Sequence, residues 1–280
     1  MATIDKVTTV RDMMDRAAQW SDSVALVPTM GYLHEGHLDL VREAAKRAKI
    51  VVVSIFVNPL QFGPGEDFSV YPRDIDRDIE LLEKAGATLV FSPDYQDFTP
   101  DDIRISVEPG RMGDVLCGQY RPGHFTGVCT IVLKLFQVIW PDVAVFGWKD
   151  AQQFLIIQRM VSDLNVPLQL VGVATRREES GLAMSSRNSY LTIEQKEAAS
   201  AIYRSLVKIA RLVKEGETRT DALLENVRMD IEREPLLKLQ YAEAVSMDKL
   251  ERIENVEPGN TLIALAVFAG KTRLIDNVRL

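Results

Sequence analysis

VALVPTMGYLHEGHLDLVREAAKRAK, residues 24–49, passes from one periodicity to another within a few positions. VALVPT is apolar on successive residues, so both of its faces are buried, as in a strand of a covered parallel sheet. LDLVREAAKRAK places its apolar residues three and four apart, the stripe of an amphipathic helix. Between the two lies GYLHEGH, which puts His34 and His37 at a strand-to-helix turn. The free amides and dipole of a helix start favour bound phosphate there. Gly31 and Gly36 let the backbone approach a ligand closely. A spacing of three sets both imidazoles on one side of a helical turn. Two other uses of the segment stay open at this point. It is a structural turn with incidental histidines, or, with His124 as the only other histidine, a zinc site. The acidic third-ligand context of the common zinc motifs is missing.

Working outward, the same alternation repeats. IVVVSIFV, TLVFS, VAVFG and LQLVGV are apolar runs of strand length, with VALVPT the first strand of the set. Helical patterns lie between them, including DAQQFLIIQRMVSDL and a stripe made by Val128, Ile131, Val132, Leu135, Phe136 and Ile139. Strand and helix in alternation predict an α/β fold, a Rossmann-like doubly wound parallel sheet. Ligands in such a sheet sit at the carboxyl ends of the strands, near the switch in strand order. After Val173 the pattern changes. A polar loop, ATRREESGLAMSSRNSY, leads to a helix opening at Thr192 with Gln195 three residues on, a capping-box spacing. A further helix precedes Pro235, and LKLQYAEAVS, TLIALAVFAG and TRLIDNVRL read as strands. The expected division is residues 1–175 as the nucleotide- and substrate-binding domain and residues 176–280 as a smaller α+β domain carrying the MSSRN loop.

The formal net charge of −7 over 280 residues argues against a protein that grips nucleic-acid backbone, which needs a dense basic surface. A small anion needs only a local positive pocket. The longest apolar runs are too short to span a bilayer, and the opening MATIDKVTTVRDMM lacks a signal peptide's apolar stretch, so the expectation is a cytoplasmic protein with no membrane contact. Cys117 and Cys129, without CxxC spacing, read as free thiols of a reducing compartment.

Three further segments carry chemistry. GLAMSSRNSYL offers Ser185, Ser186 and Arg187 in a row, two hydroxyls and a fork-shaped cation suited to phosphate oxygens. VFGWKDAQQF places Lys149 and Asp150 at another strand-end turn, Lys149 as a cation for charge that builds up in a transition state and Asp150 as the cap of the following helix. A looser group comprises Asn58 and Gln61 in VNPLQF, Tyr71 and Arg73 in YPRD, and Arg121 and His124 in RPGHFTG. Amides at a strand's carboxyl end suit hydroxyls and carboxylates. Asp76 and Asp78, possible helpers for a magnesium ion, read as solvated helix-face carboxylates. AGKTR at 269–273 mimics the end of a P-loop, but residue 265 is not glycine and no helix follows.

HEGH paired with a downstream MSSRN resembles the signatures of the adenylate-forming nucleotidyltransferases. PTMG-x-LHEGH, SIFVNPLQF, YPR, RPGHF-x-GV-x-T-x-V-x-KLF, PD-x-x-x-FG-x-KD-x-QQ and GLAMSSRN-x-YL, spanning residues 28–191, are similar in order and spacing to the pantoate–β-alanine ligase (pantothenate synthetase) family. The resemblance implies a two-step reaction: pantoate and Mg-ATP give pantoyl adenylate and pyrophosphate, then β-alanine displaces AMP. It implies ATP contacts at Met30, Gly31, Tyr32, Leu33, His34, Glu35, Gly36 and His37, at Gly147, Trp148, Lys149 and Asp150, and at Arg176, Met184, Ser185, Ser186 and Arg187. His34, His37, Lys149, Ser185, Ser186 and Arg187 would stabilise charge on the triphosphate, with His37 the family's usual proton donor. Pantoate and β-alanine would meet Gln61 and Gln153, with Asn58, Arg121 and His124 nearby. No residue is assigned to a metal, Mg2+ arriving with ATP, and the resemblance implies a homodimer. Two positions depart from the family pattern: Trp148 fills a usually acidic or polar position, and Arg176 a usually small apolar one. Competing readings are a fragment of an aminoacyl-tRNA synthetase, an adenylyltransferase acting on a phosphate, a noncatalytic nucleotide binder and a zinc hydrolase.

Overall fold

Six parallel strands form the larger sheet of the computed structural model, which describes residues 4–101 and 103–280. Their order in space is β1 (Asp5–Val7), β4 (Leu89–Phe91), β3 (Ile50–Ile55), β2 (Val24–Thr29), β5 (Val143–Gly147) and β6 (Gln169–Val173). The helices between them are α1 (Val10–Ala17), α2 (Glu35–Ala45), α3 (Ile75–Ala85), the single-turn α4 (Tyr95–Phe98) and α5 (Cys117–Tyr120), α6 (His124–Ile139) and α7 (Ala151–Asp163). From β2 the chain first moves outward through β3 and β4, then returns to place β5 on the other side of β2. The switch in strand order therefore falls between β2 and β5, at whose carboxyl ends lie HEGH and FGWKD.

All five expected strands are present, but VALVPT is the second in the chain rather than the first. β1 is three residues long and exposed at two of them, so it carries almost no apolar signal. It joins the sheet as an edge, paired with β4. LQLVGV departs in the other direction. As the opposite edge strand, β6 is half-buried rather than covered on both faces.

The remainder comprises α8 (Ile193–Lys214), α9 (Thr220–Glu232) and an antiparallel sheet of β7 (Leu237–Ser246), β8 (Thr261–Ala269) and β9 (Thr272–Arg279). Thr192 and Gln195 close the expected capping box on α8. AGKTR is the β8–β9 hairpin, with Gly270 at φ 59°. TLIALAVFA is continuously apolar because β8 is buried on both faces. Leu262, Ala264 and Ala266 join the core beneath the large sheet. Ile263, Leu265 and Val267 pack against α8 and α9. The period of two along a strand makes that division. The small sheet is thus a middle layer between its own helices and the core it shares with the larger domain.

Candidate active site

The HEGH turn is held from behind. Gly31 has φ 81°, and a side chain there would come within 3.0 Å of Ile55 and 3.1 Å of Asp78. Tyr32 also has positive φ, 51°. The Asp78 carboxylate, 1% exposed on α3, compensates by accepting the amides of Tyr32 at 2.6 Å and Leu33 at 2.8 Å. Burial raises its pKa, and those two donors pull the other way. Arg77 donates to the Leu33 carbonyl at 3.0 Å and lies over the Tyr32 ring. Asp78 is therefore not the solvated carboxylate expected from its helical spacing, whereas Asp76 is exposed as expected.

His34 and His37 cap one another's turn. His34 Nδ1 accepts from the Gly36 amide at 3.1 Å, and His37 Nδ1 accepts from the His34 amide at 3.3 Å. Gly36 is required here, since a Cβ would lie 2.9 Å from the His34 ring. With each Nδ1 used as an acceptor, the proton of each neutral ring sits on Nε2. The ring centroids are 4.0 Å apart. Burial, then nearby Lys149, holds His34 down to about 4. Burial, His34 and Lys149 push His37 well below its ordinary value. Both rings are neutral near pH 7, so His37 offers an N–H hydrogen bond in the free protein rather than an imidazolium proton.

Lys149 stands on the one-turn 3₁₀ segment Trp148–Asp150 after β5. Its nearest charged partner among the described residues is Asp150 at 4.0 Å. The Asp150 side chain makes no capping bond to α7, so the capping role expected of it is not the one it has. The Trp148 ring turns away from the cleft, 4.3 Å from the Phe154 ring centroid and under the Arg279 guanidinium at 4.1 Å.

The opposite wall is made of paired charges. Arg187 grips Asp67 through two bonds of 2.9 and 2.8 Å. Burial works against ionisation of Asp67, but this pair outweighs it and holds the carboxyl below its usual value. Ser185 Oγ accepts from the Arg187 amide, and Ser186 Oγ donates to the Tyr32 carbonyl at 3.2 Å, joining the two signature loops. Arg121 pairs with Glu66 at 2.6 and 2.7 Å and donates to His124 Nε2 at 3.0 Å. His124 Nδ1–H in turn donates to the Gln61 carbonyl at 2.8 Å, which fixes its tautomer. Burial, with Arg121 beside it, lowers His124 to about 4.

The amides expected to hold substrate separate into two kinds. Asn58 is 2% exposed and fully engaged, accepting from Leu60 and donating to Gly127 and Gln61. It orients Gln61, whose Nε2 also reaches Met30 Sδ at 3.2 Å. Gln153 has no hydrogen-bond partner among the described residues and faces the open space. Arg73 closes its own turn by donating to the carbonyls of Phe68 and Tyr71.

One cleft of about 1350 Å³ gathers Met30, His34, Gly36, His37, Asn58, Gln61, Arg121, His124, Gly147, Lys149, Asp150, Gln153, Arg176, Met184 and Arg187. A second cavity, opening from the same side chains, reaches Ser185 and the small sheet. Gly31, Tyr32, Leu33, Glu35, Trp148 and Ser186 do not line the main cleft. Leu33 is a core residue, and Glu35 is paired with Arg42 at 2.9 Å. The Arg176 side chain extends to Asp39 at 3.3 Å along the rim. Sequence reasoning missed Arg77, Asp78, Glu66 and Asp67 as supports. The only cues were an acidic pair, GED, before YPR and the Asp74–Asp78 run at the start of α3.

A family model described as pantoate-beta-alanine ligase matches residues 2–279. The chain belongs to the pantoate–β-alanine ligase family. Family membership gives the chemistry, ATP-dependent joining of pantoate and β-alanine. A pantothenate synthetase from Thermoanaerobacter pseudethanolicus is 47% identical over 278 residues, covering 99% of this chain and 98% of that one. The crystal structure of pantothenate synthetase from Thermus thermophilus superposes with a TM-score of 0.92 at 41% identity, over 98% of this chain and 99% of that one. A pantoate–β-alanine ligase from Francisella tularensis, solved with β,γ-ATP and β-alanine, gives a TM-score of 0.80 at 32% identity, over 98% and 97% of the two chains.

Proposed function

We propose that this cleft forms pantoyl adenylate and then pantothenate, with the ATP phosphates held between the HEGH turn, Lys149 and the 184–187 loop. The observation that carries the proposal is convergence. Two imidazoles with their N–H groups fixed on Nε2, one cation whose nearest carboxylate among the described residues is 4.0 Å away, and an amide unengaged among the described residues meet at the switch between β2 and β5.

The pantoate carboxylate attacks the α-phosphorus, and the bond from that phosphorus to the bridging oxygen breaks, releasing pyrophosphate. Negative charge grows on the departing group, so donors aimed there act mainly on the transition state. His34 and His37 supply Nε2–H hydrogen bonds, and Lys149 supplies charge. Ser185, Ser186 and Arg187 close from the other side, Arg187 exchanging Asp67 for phosphate. Gln153 and Gln61 hold pantoate, while Asn58, Arg121 and His124 hold Gln61. The β-alanine amine then attacks the acyl carbon and AMP leaves. Positioning two anions together removes much of the entropy of their encounter.

Mg2+ fits this cleft as a companion of ATP. The ion keeps water and phosphate oxygens and needs only one or two carboxylates, and no cluster of three or more metal-ligating side chains occurs among the described residues. Asp150, half-exposed and facing the cleft, would hold it. When bound, the ion neutralises charge on the leaving pyrophosphate. Residues 1–175 and 176–280 form the two bodies that meet at the cleft. Cytoplasmic location accords with the free thiols Cys117 and Cys129, and among the described residues no helix is long and apolar enough to cross a membrane. The homodimer rests on the family resemblance and is checked by light scattering.

Pantoate labelled with ¹⁸O in its carboxylate tests the route. The adenylate path transfers one labelled oxygen to AMP. Label found in phosphate or pyrophosphate, and none in AMP, would rule it out.

A further inference from the structure

Among the described residues no capping side chain anchors the 3₁₀ turn that carries Lys149. Gly147 precedes it without a capping side chain, and Asp150 forms no capping bond to α7. Its anchor comes from the far end of the chain. Asn277 Nδ2, on β9, donates to the carbonyls of Trp148 at 2.8 Å and Lys149 at 3.0 Å. Both hydrogens of that amide are therefore spent on the turn. Arg279, two residues on, lies over the Trp148 ring at 4.1 Å.

The preceding residue does the same for the other half of the cleft. Asp276, 3% exposed, takes two bonds from Arg177, at 2.6 and 3.0 Å. Arg177 also donates to the Gly181 carbonyl at 3.1 Å and stands 3.9 Å over the Tyr203 ring. It starts the hairpin that ends in Ser185 and Arg187, bridged at Arg177–Ala183 and closed by Met184 N–H to the Arg176 carbonyl at 2.9 Å. Consecutive residues of one half-buried strand thus hold the Lys149 turn and the serine–arginine loop.

We infer that Asn277 and Asp276 are positioning residues for adenylation, with β9 setting the distance between the two phosphate-binding walls. The inference rests on the role of Lys149 proposed above. Two good hydrogen bonds to the backbone would also stabilise the fold without any effect on chemistry. The distinction is whether loss of Asn277 acts through Lys149. A residue that works only by placing another has nothing left to contribute once the placed group is removed, so their effects do not multiply.

The test is a double-mutant cycle of Asn277→Ala and Lys149→Ala, read as pantoate-dependent adenylation under saturating and limiting ATP, with melting temperature beside it. Asn277→Ala is expected to lower kcat by about 10- to 100-fold, since small misplacements of catalytic groups cost on that scale, with KM for ATP within about threefold. The double variant should be no slower than Lys149→Ala within about twofold. Reaction of β-alanine with supplied pantoyl adenylate, which does not involve the triphosphate, should stay near normal in Asn277→Ala. If Asn277→Ala does not fold, Asn277→Asp keeps the shape, removes both donors and carries the same cycle. A normal rate in the Asn277 variant, or losses that multiply in the double variant, overturns the inference. A near-normal Lys149→Ala enzyme would instead overturn the role of Lys149 beneath it.

Discussion

The two walls of the cleft are prepared to different degrees. In the proposed site nothing on the HEGH wall has to break before phosphate arrives. Asp78 and Arg77 hold the turn, each Nδ1 is capped, and both Nε2–H groups remain to be used. On the opposite wall Arg187 is already bound to Asp67, and Arg121 to Glu66. A preformed donor acts at once, whereas a paired cation must first exchange its partner and contributes only the difference. The lesson is that cationic residue types do not by themselves give phosphate-binding strength. Whether each cation is free or paired decides how much of it reaches the transition state.

The strongest way to break this contrast is to remove one cation from each wall. Lys149→Ala should lower the adenylation rate by about 100- to 1000-fold, the scale seen for a single group stabilising developing charge, with the melting temperature little changed. Arg187→Ala should cost less in kcat, because part of its interaction is spent on Asp67. A larger loss at Arg187 than at Lys149 would invert the account of the two walls.

Removing the supports gives the next largest effect. Asp78→Ala strands the buried amides of Tyr32 and Leu33 and should cost about 2–4 kcal/mol of stability in denaturant unfolding. Asp67→Ala, whose ion pair is only partly buried, should cost no more than about 1 kcal/mol. Equal losses would mean that the HEGH turn is not the more rigid side.

The histidines sharpen the same contrast through pH. Folded His34 and His124 take a proton only near pH 4, whereas histidine in the unfolded chain does so near 6.5. Between those values the unfolded state binds more protons, so stability rises with pH and is lost as pH falls from 6.5 toward 4. The loss should be on the order of 1–3 kcal/mol per buried histidine. It begins above the range where carboxylates titrate. Unfolding free energies that stay level between pH 6.5 and 5 would place charged histidines in the native cleft.

The smallest effect expected is a gain. Asp67→Asn frees Arg187 from its competitor and should tighten ATP binding by about threefold, a fraction of a kcal/mol for an exchange at a partly buried pair. Weaker binding in calorimetry would show that Asp67 helps to present Arg187 rather than withhold it.

Much of the sheet was legible because buried strands and amphipathic helices leave periods that survive in sequence. β1 was not, being too short to hold a pattern. The candidate site was legible as a grouping where residues cluster, as at His34 and His37 or Ser185 to Arg187. It was not legible where a turn of the site is held by a partner far along the chain. Asp78 stands 45 positions from the Leu33 amide it receives, and Asn277 stands 128 from Lys149. The same limit explains the amide readings. Asn58 and Gln153 are alike as residue types, and only the fold shows that one is fully bonded and the other unengaged among the described residues. Trp148 and Asp150 fail for a related reason, since a one-turn segment gives no period from which to read the direction of a side chain.

In the proposed route the two walls complete an adenylation site before the amine takes part. Exchange of labelled pyrophosphate into ATP, run with pantoate and without β-alanine, measures that directly. Exchange that depends on pantoate, and that falls in Lys149→Ala more than in Arg187→Ala, is the expected result. Folded protein that binds ATP yet shows no exchange until β-alanine is added would contradict it.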